Sequence, residues 1–340
     1  MSESGAAQPL PEVLAPAEYE AWDRFVAACP EGTLFHTAWW HRAWGCEPRI
    51  LARKDPAGRL VSGFAAHVER WLWVRALRRP PLTPANHPLA MAPPGGAVAA
   101  RSSVRRETEG LLAALPRLGL YDIAFHTCGV DPLPFIQKGF GWEVGLSYVI
   151  PHGPEAVWRS RMTPNRRADL RRAHKEAQGA QITVCCDLPM ATVVPLLGEA
   201  ARTRGFGLGA DASHMVAWWD QVLQHQAGRA YGLRTPEGTL LGVSLLVWDA
   251  RKAYYLGGGL SRQVRASSLY NNLLMERMIL DGMDMGLDFD FEGSCLPGIE
   301  WFFRQWGGEP HLTLRALKLR SPGAFVIWQA HRWLTSHRKA

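Results

Sequence analysis

The sequence predicts two mixed α/β domains of similar build, arranged in tandem. Three observations carry this. The chain has 340 residues, more than a single hydrophobic core of roughly 250–300 residues accommodates. Strand and helix patterns in the second half run β-β-β-α-β-α-β, which mixes hairpins with crossovers. One segment also occurs twice. Trp39-Trp40 leads to Arg49–Arg53 and the turn Asp55-Pro56-Ala57-Gly58, and Trp218-Trp219 leads to Arg229–Arg234 and Thr235-Pro236-Glu237-Gly238. Each copy reads as helix, strand, Pro-x-Gly turn, strand. The turns lie 180 residues apart, a domain-sized interval.

The elements follow in order. Residues 1–17 are rich in Ala, Pro and Glu, with neither a basic nor an apolar leader segment, and are expected to form a disordered tail. A first domain is expected over 18–155. Residues 156–180 form a basic inter-domain segment, with a helix over Met162–Gln178, Thr163 as N-cap and Pro164 at the first helical position. The second domain is placed at 181–321. In it, Leu240–Val247 and Lys252–Leu256 read as strands, and Gly257-Gly258-Gly259 is expected to break the second. Ser267–Gly282 reads as a helix with Leu269, Leu273, Leu274, Met278 and Ile279 at helical spacing. Leu287–Phe291 is a strand, Pro297–Trp306 a short helix closed by Gly307-Gly308, and His311–Leu319 a strand. A C-terminal helix is expected within 322–340.

Composition excludes several classes. Hydrophobic residues make up 47% and charged residues 20%, so the chain is globular, not disordered. No run of eighteen apolar residues predicts a transmembrane helix. The six cysteines form no C-x-x-C pair, and reduced thiols in the cytoplasm are expected. The net charge of +7 sits mainly in residues 151–340, where 23 Lys and Arg face 17 acids. That balance is compatible with an anionic ligand.

Four groups of residues suggest chemistry. Between Arg159 and Lys175 stand seven basic residues and one acid. Arg167, Arg171 and Lys175 share one helix face, and Arg166 and Arg167 lie in the first turn, where the helix dipole disfavours cations. A bound phosphate or carboxylate would offset that; the other reading is a solvated linker helix. The stretch Asp288-Phe-Asp-Phe-Glu-Gly-Ser294 sets Asp290, Glu292 and Ser294 at a strand end, as a general base, an amine-positioning group or an exposed ion-paired face. Tyr254 and Tyr255 sit beside the three glycines, either as proton donors or as packing residues. His36 and His41 are five apart with no acidic third ligand nearby in sequence, so no metal site is expected. No G-x-S-x-G, P-loop or H-E-x-x-H motif is present.

In order and spacing, several segments together resemble the FemAB-type aminoacyltransferases, within the wider GNAT-like (BioF2-like) acyltransferases. They are Phe35–Trp44, Arg78–Thr83, Asp131–Phe135 with Lys138-Gly-Phe140, the Arg166–Lys175 helix, Tyr254–Gly259, Asp288–Ser294 and Phe302–Gly307. The resemblance covers nearly all of residues 18–320. It implies two GNAT-like domains with a groove between them and an amide-forming acyl or aminoacyl transfer. Some relatives use aminoacyl-tRNA and act on peptidoglycan precursors, and others make natural products. The implied acceptor is a small-molecule, cell-wall or natural-product amine, with no tightly bound cofactor and with peripheral membrane contact allowed. Asp290, Glu292, Tyr255 and Arg304 are then the catalytic candidates. Trp39, Trp40, Arg166, Arg167, Arg171, Lys175, Tyr254 and Ser294 are the substrate-binding ones.

Two departures from the family pattern bear on the donor. The pyrophosphate loop of GNAT domains, Q/R-x-x-G-x-G/A, becomes Arg262-Gln-Val-Arg-Ala-Ser267. Arg265 and Ser267 replace the glycines that let backbone amides cradle coenzyme A phosphates, leaving Arg262 and Arg265 as charge donors. The F-K-x-x-F-G pattern of tRNA-using members becomes Phe302-Phe303-Arg304-Gln305-Trp306-Gly307, with Phe303 at the Lys position. Aminoacyl-tRNA is the favoured donor and acyl-coenzyme A the rival. A non-catalytic module binding an anionic or nucleotide-linked ligand is the reading from another class.

Overall fold

The computed structural model describes residues 10–126, 130–203, 207–264, 269–293 and 297–337, with side chains to Gln329. The chain divides into two compact units. The first comprises residues 1–144 and 314–329, the second 145–313 and 330–340.

In the first unit, β1 (Glu12–Val13) precedes α1 (Tyr19–Ala28) and α2 (Ala38–Ala43). β2 (Arg49–Lys54), β3 (Leu60–Trp71) and β4 (Val74–Arg78) form an antiparallel meander. β5 (Leu89–Ala90) adds to β3, α3 (Ala97–Ala114) crosses over, and β6 (Leu120–Phe125) pairs parallel with β4. Then α4 (Leu133–Gln137) leads into β7 (Gly141–Ile150). The second unit holds α5 (Glu155–Arg161) and α6 (Pro164–Gly179) before repeating the plan. β8 (Thr183–Cys186), α7 (Met190–Thr203) and α8 (Ala212–Gln224) lead to the meander β9 (Gly228–Arg234), β10 (Leu240–Trp248), β11 (Lys252–Leu260). α9 (Asn271–Asp284) crosses to β12 (Asp288–Asp290), parallel to β11, and α10 (Pro297–Arg304) leads to β13 (Glu309–Leu319). α11 (Pro322–His337) ends the chain. Leaving out β5, the order β-α-α-β-β-β-α-β-α-β is identical in the two series.

The paired turns are alike in their bonds. Asp55 N–H donates to Arg59 O and Gly58 N–H to Asp55 O; Thr235 N–H donates to Thr239 O and Gly238 N–H to Thr235 O. Gly58 and Gly238 both take the left-handed conformation, φ +78° and +90°, which costs a glycine little and other residues roughly 1–2 kcal/mol. The closing strands are exchanged. Val149 and Ile150 of β7 pair with β12 in the second unit, and Leu314–Leu319 of β13 pair with β6 in the first.

The three consecutive glycines do not end a strand. β11 continues to Leu260, with Gly257, Gly258 and Gly259 in register with β10. A side chain at Gly258 would meet Val243 O at 2.6 Å, so the glycine permits a close approach to β10. The helix expected from Ser267 is described from Asn271 onward. In the second unit, Tyr231, Leu246, Leu274, Met278, Phe289, Phe291 and Trp306 share one core with α6. α6 is largely polar and contributes a single stripe, Arg166, Leu170, Ala173 and Ala177. No described helix is long and apolar enough to cross a membrane.

Candidate functional site

The second unit gathers most of the candidate residues, beginning at the N-terminus of α6. Thr163 caps the helix, its Oγ1 accepting from Arg166 N–H at 3.2 Å, and Pro164 takes the first position. Thr163 N–H donates to Gln305 O, which fastens the start of α6 to the end of α10. The same junction needs Gly307. Its φ is +79°, and a Cβ there would come within 2.7–2.9 Å of Arg161 and Met162.

This tight junction buries Arg166, which is 3% exposed. Its guanidinium lies 4.5 Å above the Phe302 ring and 5.3 Å from the Trp306 ring. Nη1 donates to Asn272 Oδ1, whereas Nε is buried with no hydrogen-bond partner among the described residues. No carboxylate lies within ion-pair distance of Arg166 among the described residues. Burial accordingly lowers the guanidinium's proton affinity below its ordinary value, opposed only by the field of Asp169. Around it, Trp158 stacks parallel to Trp306 at 6.3 Å and donates to Trp306 O at 2.9 Å.

Its neighbours on α6 behave differently. Arg167 Nη1 donates to the carbonyls of Met162 (2.6 Å), Arg159 and Ser160 (3.3 Å each), capping the C-terminus of α5. It is thus placed on a structural cap instead of open to a ligand. Arg171 and Lys175 are exposed on α6 and carry no ion pair among the described residues.

The strand-end carboxylates lie where β11 and β12 part. Their parallel ladder covers only Lys252–Asp288, Ala253–Phe289 and Tyr254–Asp290, while β11 runs on with β10 to Leu260. In open α/β sheets the carboxyl ends of parallel strands are where ligands bind. Asp290 is buried and strongly satisfied. Its Oδ1 accepts from Ser147 Oγ (2.6 Å) and Glu292 N–H (3.0 Å), and Lys252 Nζ stands 3.4 Å from Oδ2. Glu292, half-buried just beyond the strand, takes φ +57°. Tyr254 is buried and donates to Asp249 Oδ2 at 2.8 Å; burial, followed by the Asp249 charge, pushes its phenol well above the ordinary range. Tyr255 is half-buried, its ring edge-on to Phe303 at 5.9 Å.

Phe303 is buried against Phe291, ring centroids 4.8 Å apart, so the position of the family lysine holds core. Arg304, mostly exposed, pairs with Glu300 at 3.3 Å, whose Oε1 also accepts from the Tyr148 hydroxyl at 2.5 Å. Arg262 is exposed and bonds to Glu199. Arg265 and Ser294 fall outside the described residues. Trp39 and Trp40 belong to the first unit. Trp40 is fully buried and donates to Thr83 Oγ1 at 2.8 Å, a core residue, and Trp39 packs edge-on against it.

Sequence reasoning missed Asn272, Ser147 and Lys252. Asn272 had a faint signal, an amide beside Leu273 and Leu274 on an apolar helix face. Ser147 and Lys252 reach Asp290 only through strand pairing, which no local pattern encodes.

No protein-family model and no curated protein matches the chain. Solved structures do. FemX is similar over 89% of this chain and 96% of its own, with TM-score 0.63 and 15% identity. L-PGS from Bacillus licheniformis matches over 95% and 97%, with TM-score 0.56 and 12% identity. A tandem GNAT protein from the clavulanic acid biosynthesis pathway matches over 92% and 98%, with TM-score 0.50 and 11% identity. At such identities the likeness is one of fold, and the fold of this chain is the tandem GNAT-like, FemAB-like one.

Proposed function

We propose that the protein is an acyltransferase that joins an aminoacyl or acyl group to a substrate amine, with aminoacyl-tRNA as the favoured donor. The observation that carries the reading is Arg166. An unpaired buried guanidinium costs several kcal/mol, and one in a first helical turn roughly 0.3–1 kcal/mol more. An anionic ligand at this point offsets both. The fold shared with FemX, L-PGS and a tandem GNAT protein supports acyl transfer as the use of such a site.

In the proposed reaction the amine lone pair attacks the acyl carbon, the bond to the donor's oxygen breaks, and the leaving group takes the proton that the amine loses. Glu292, just beyond β12, takes that proton from the amine and passes it to the leaving oxygen, and Tyr255, the residue after the last β11–β12 ladder pair, is the hydroxyl facing the developing oxyanion. Asp290 is a positioning residue, since its oxygens are already engaged by Ser147, Lys252 and the Glu292 amide. Arg171 and Lys175 supply exposed charge for a phosphate backbone.

Acyl-coenzyme A is the second reading. It is favoured by the burial of Phe303, which leaves no cation at the position tRNA-using relatives fill with Lys. Two titrations separate the readings. Filter binding of charged tRNA is expected to show retention that falls steeply with salt, and calorimetry with acetyl-coenzyme A to show affinity no tighter than roughly 0.1 mM. Micromolar coenzyme A binding without tRNA retention would reverse the donor. Failure of both donors would leave a binding module.

A further inference from the structure

The tip of the β3–β4 hairpin, outside the candidate site, exposes two large apolar side chains. Leu72 and Trp73 are 61% and 64% exposed. They form a two-residue turn, and Leu72 holds φ +55°, a conformation in which glycine or asparagine is the ordinary choice. A branched apolar residue is thus kept where it neither packs nor turns well.

The hairpin tip abuts the start of α11 within the first unit. A Cβ on Gly323 would stand 3.0 Å from Trp73 Nε1. α11 buries Ala324, Ile327 and Trp328 against β4 and β6. Its opposite side presents Phe325 and Val326, 52% and 61% exposed. Four large apolar side chains therefore share one neighbourhood of the surface, beyond the scattered single residues normal for a soluble protein.

The charges beside them have one sign. Arg70 and Arg75 are exposed and directly opposite each other across the hairpin, a like-charge pair that is unfavourable without a counter-ion. Arg320, exposed between β13 and α11, is tied to the same hairpin through the backbone, its N–H donating to Gly119 O and Gly119 N–H to Arg75 O. None of the three has an ion-pair partner among the described residues. Segments 70–78 and 319–329 contain no acid.

We propose that this surface docks on an anionic lipid bilayer, with Leu72, Trp73, Phe325 and Val326 entering the headgroup–acyl boundary and Arg70, Arg75 and Arg320 meeting lipid phosphates. The set mixes aliphatic Leu72 and Val326 with Trp73 and Phe325, and the aliphatic pair suits a lipid boundary better than nucleic acid, which would call for aromatic platforms alone.

Flotation of the full chain with vesicles tests this. Mixed phosphatidylglycerol–phosphatidylcholine vesicles should carry the protein at low salt, and pure phosphatidylcholine should carry about tenfold less. The double variant Trp73→Ser/Phe325→Ser should lose about tenfold in binding, and Arg70→Ser/Arg75→Ser should remove most of the salt dependence. All four side chains are exposed, so melting temperatures should match wild type and report folded protein. No binding to the anionic vesicles, or full binding by the Trp73→Ser/Phe325→Ser variant, would overturn the proposal. So would self-association or tRNA binding that the double variant abolishes in the absence of any vesicle binding.

Discussion

The two units share an order of elements but fill the end of their parallel strand pair differently. In the first, chain after β4 lies against β6. Asn86 accepts from Ala124 N–H at 2.8 Å, donates its own N–H to Ala124 O and its amide to Asp122 O. Thr83 is held by Trp40, and His87 Nδ1 meets His36 Nε2 at 3.2 Å. One protein segment thus supplies the hydrogen bonds there. In the second unit the β11–β12 ladder simply ends after Tyr254 and Asp290, and the buried Asp290 is held by the Ser147 hydroxyl, Lys252 and the Glu292 amide. The first unit buries its carboxylates Glu107 and Asp122 against Arg53 and Arg315, whereas Arg166 of the second is buried with no carboxylate in ion-pair distance among the described residues. On the reading proposed above, the buried cation without a carboxylate is the one kept for a ligand.

Acid should separate the units most strongly. Burial holds His41 and His87 down to about 3, and His36 well below its ordinary value. No histidine is buried among the described residues of the second unit. Above pH 6.5 these three imidazoles are neutral folded or unfolded, and the stability is fully present. As pH falls from 6.5 toward 3, the unfolded chain binds protons that the folded unit refuses. By pH 5 the cost is about 2 kcal/mol each for His41 and His87, about 4 together. Asp23, pushed up to about 6 by burial, and His67, pushed up against burial to about 9 by its bonds to Cys46 and Glu69, offset part of this, because the folded unit protonates both first. Hydrogen exchange at pH 7 and 5 should show protection lost in β2–β6 and kept in β9–β11. Equal loss in both units would break the comparison.

Asn86→Ala should cost about 3 kcal/mol, since it leaves buried backbone groups of β6 unpaired. Chemical denaturation should show the loss, with donor binding unchanged. Reduced donor affinity would mean that the first unit takes part in the ligand site. Gly307→Ala should cost roughly 2 kcal/mol from left-handed strain and contact with Arg161 and Met162, and a wild-type melting curve would contradict the α6–α10 junction described above. The smallest effect is expected of Arg167→Ala, about 0.5–1 kcal/mol from the lost cap on α5. Its tRNA affinity should stay within about twofold, since its guanidinium is engaged by the carbonyls of Arg159, Ser160 and Met162 and is not open to a phosphate.

Local chemistry made part of this legible. The paired turns could be read because a Pro-x-Gly sequence has few alternatives to a left-handed glycine. The start of α6 was equally plain, since Thr163 and Pro164 state a cap and a first turn. The exchange of β7 and β13 was hidden, because either strand's alternation suits either sheet and long-range pairing decides. The glycines of β11 looked like a break because their reason, contact with β10, lies across the sheet. At the site, the basic run suggested an anion, but Arg166 and Arg167 looked equivalent. A one-residue step on a helix turns a side chain by about 100°, enough to send one guanidinium under Phe302 and the other to the end of α5.

Arg166→Met provides the most direct test of the central claim, that the second unit keeps a buried cation for an anionic ligand. Methionine fills the same space between Phe302 and Trp306 without the charge, and buried charges replaced this way often leave stability equal or higher. Filter binding of aminoacyl-tRNA at low salt, together with a melting curve, should show affinity reduced by about tenfold or more at a melting temperature near wild type. Unchanged affinity in a sharply destabilised variant would contradict the account, and make Arg166 a structural prop of the α6–α10 junction.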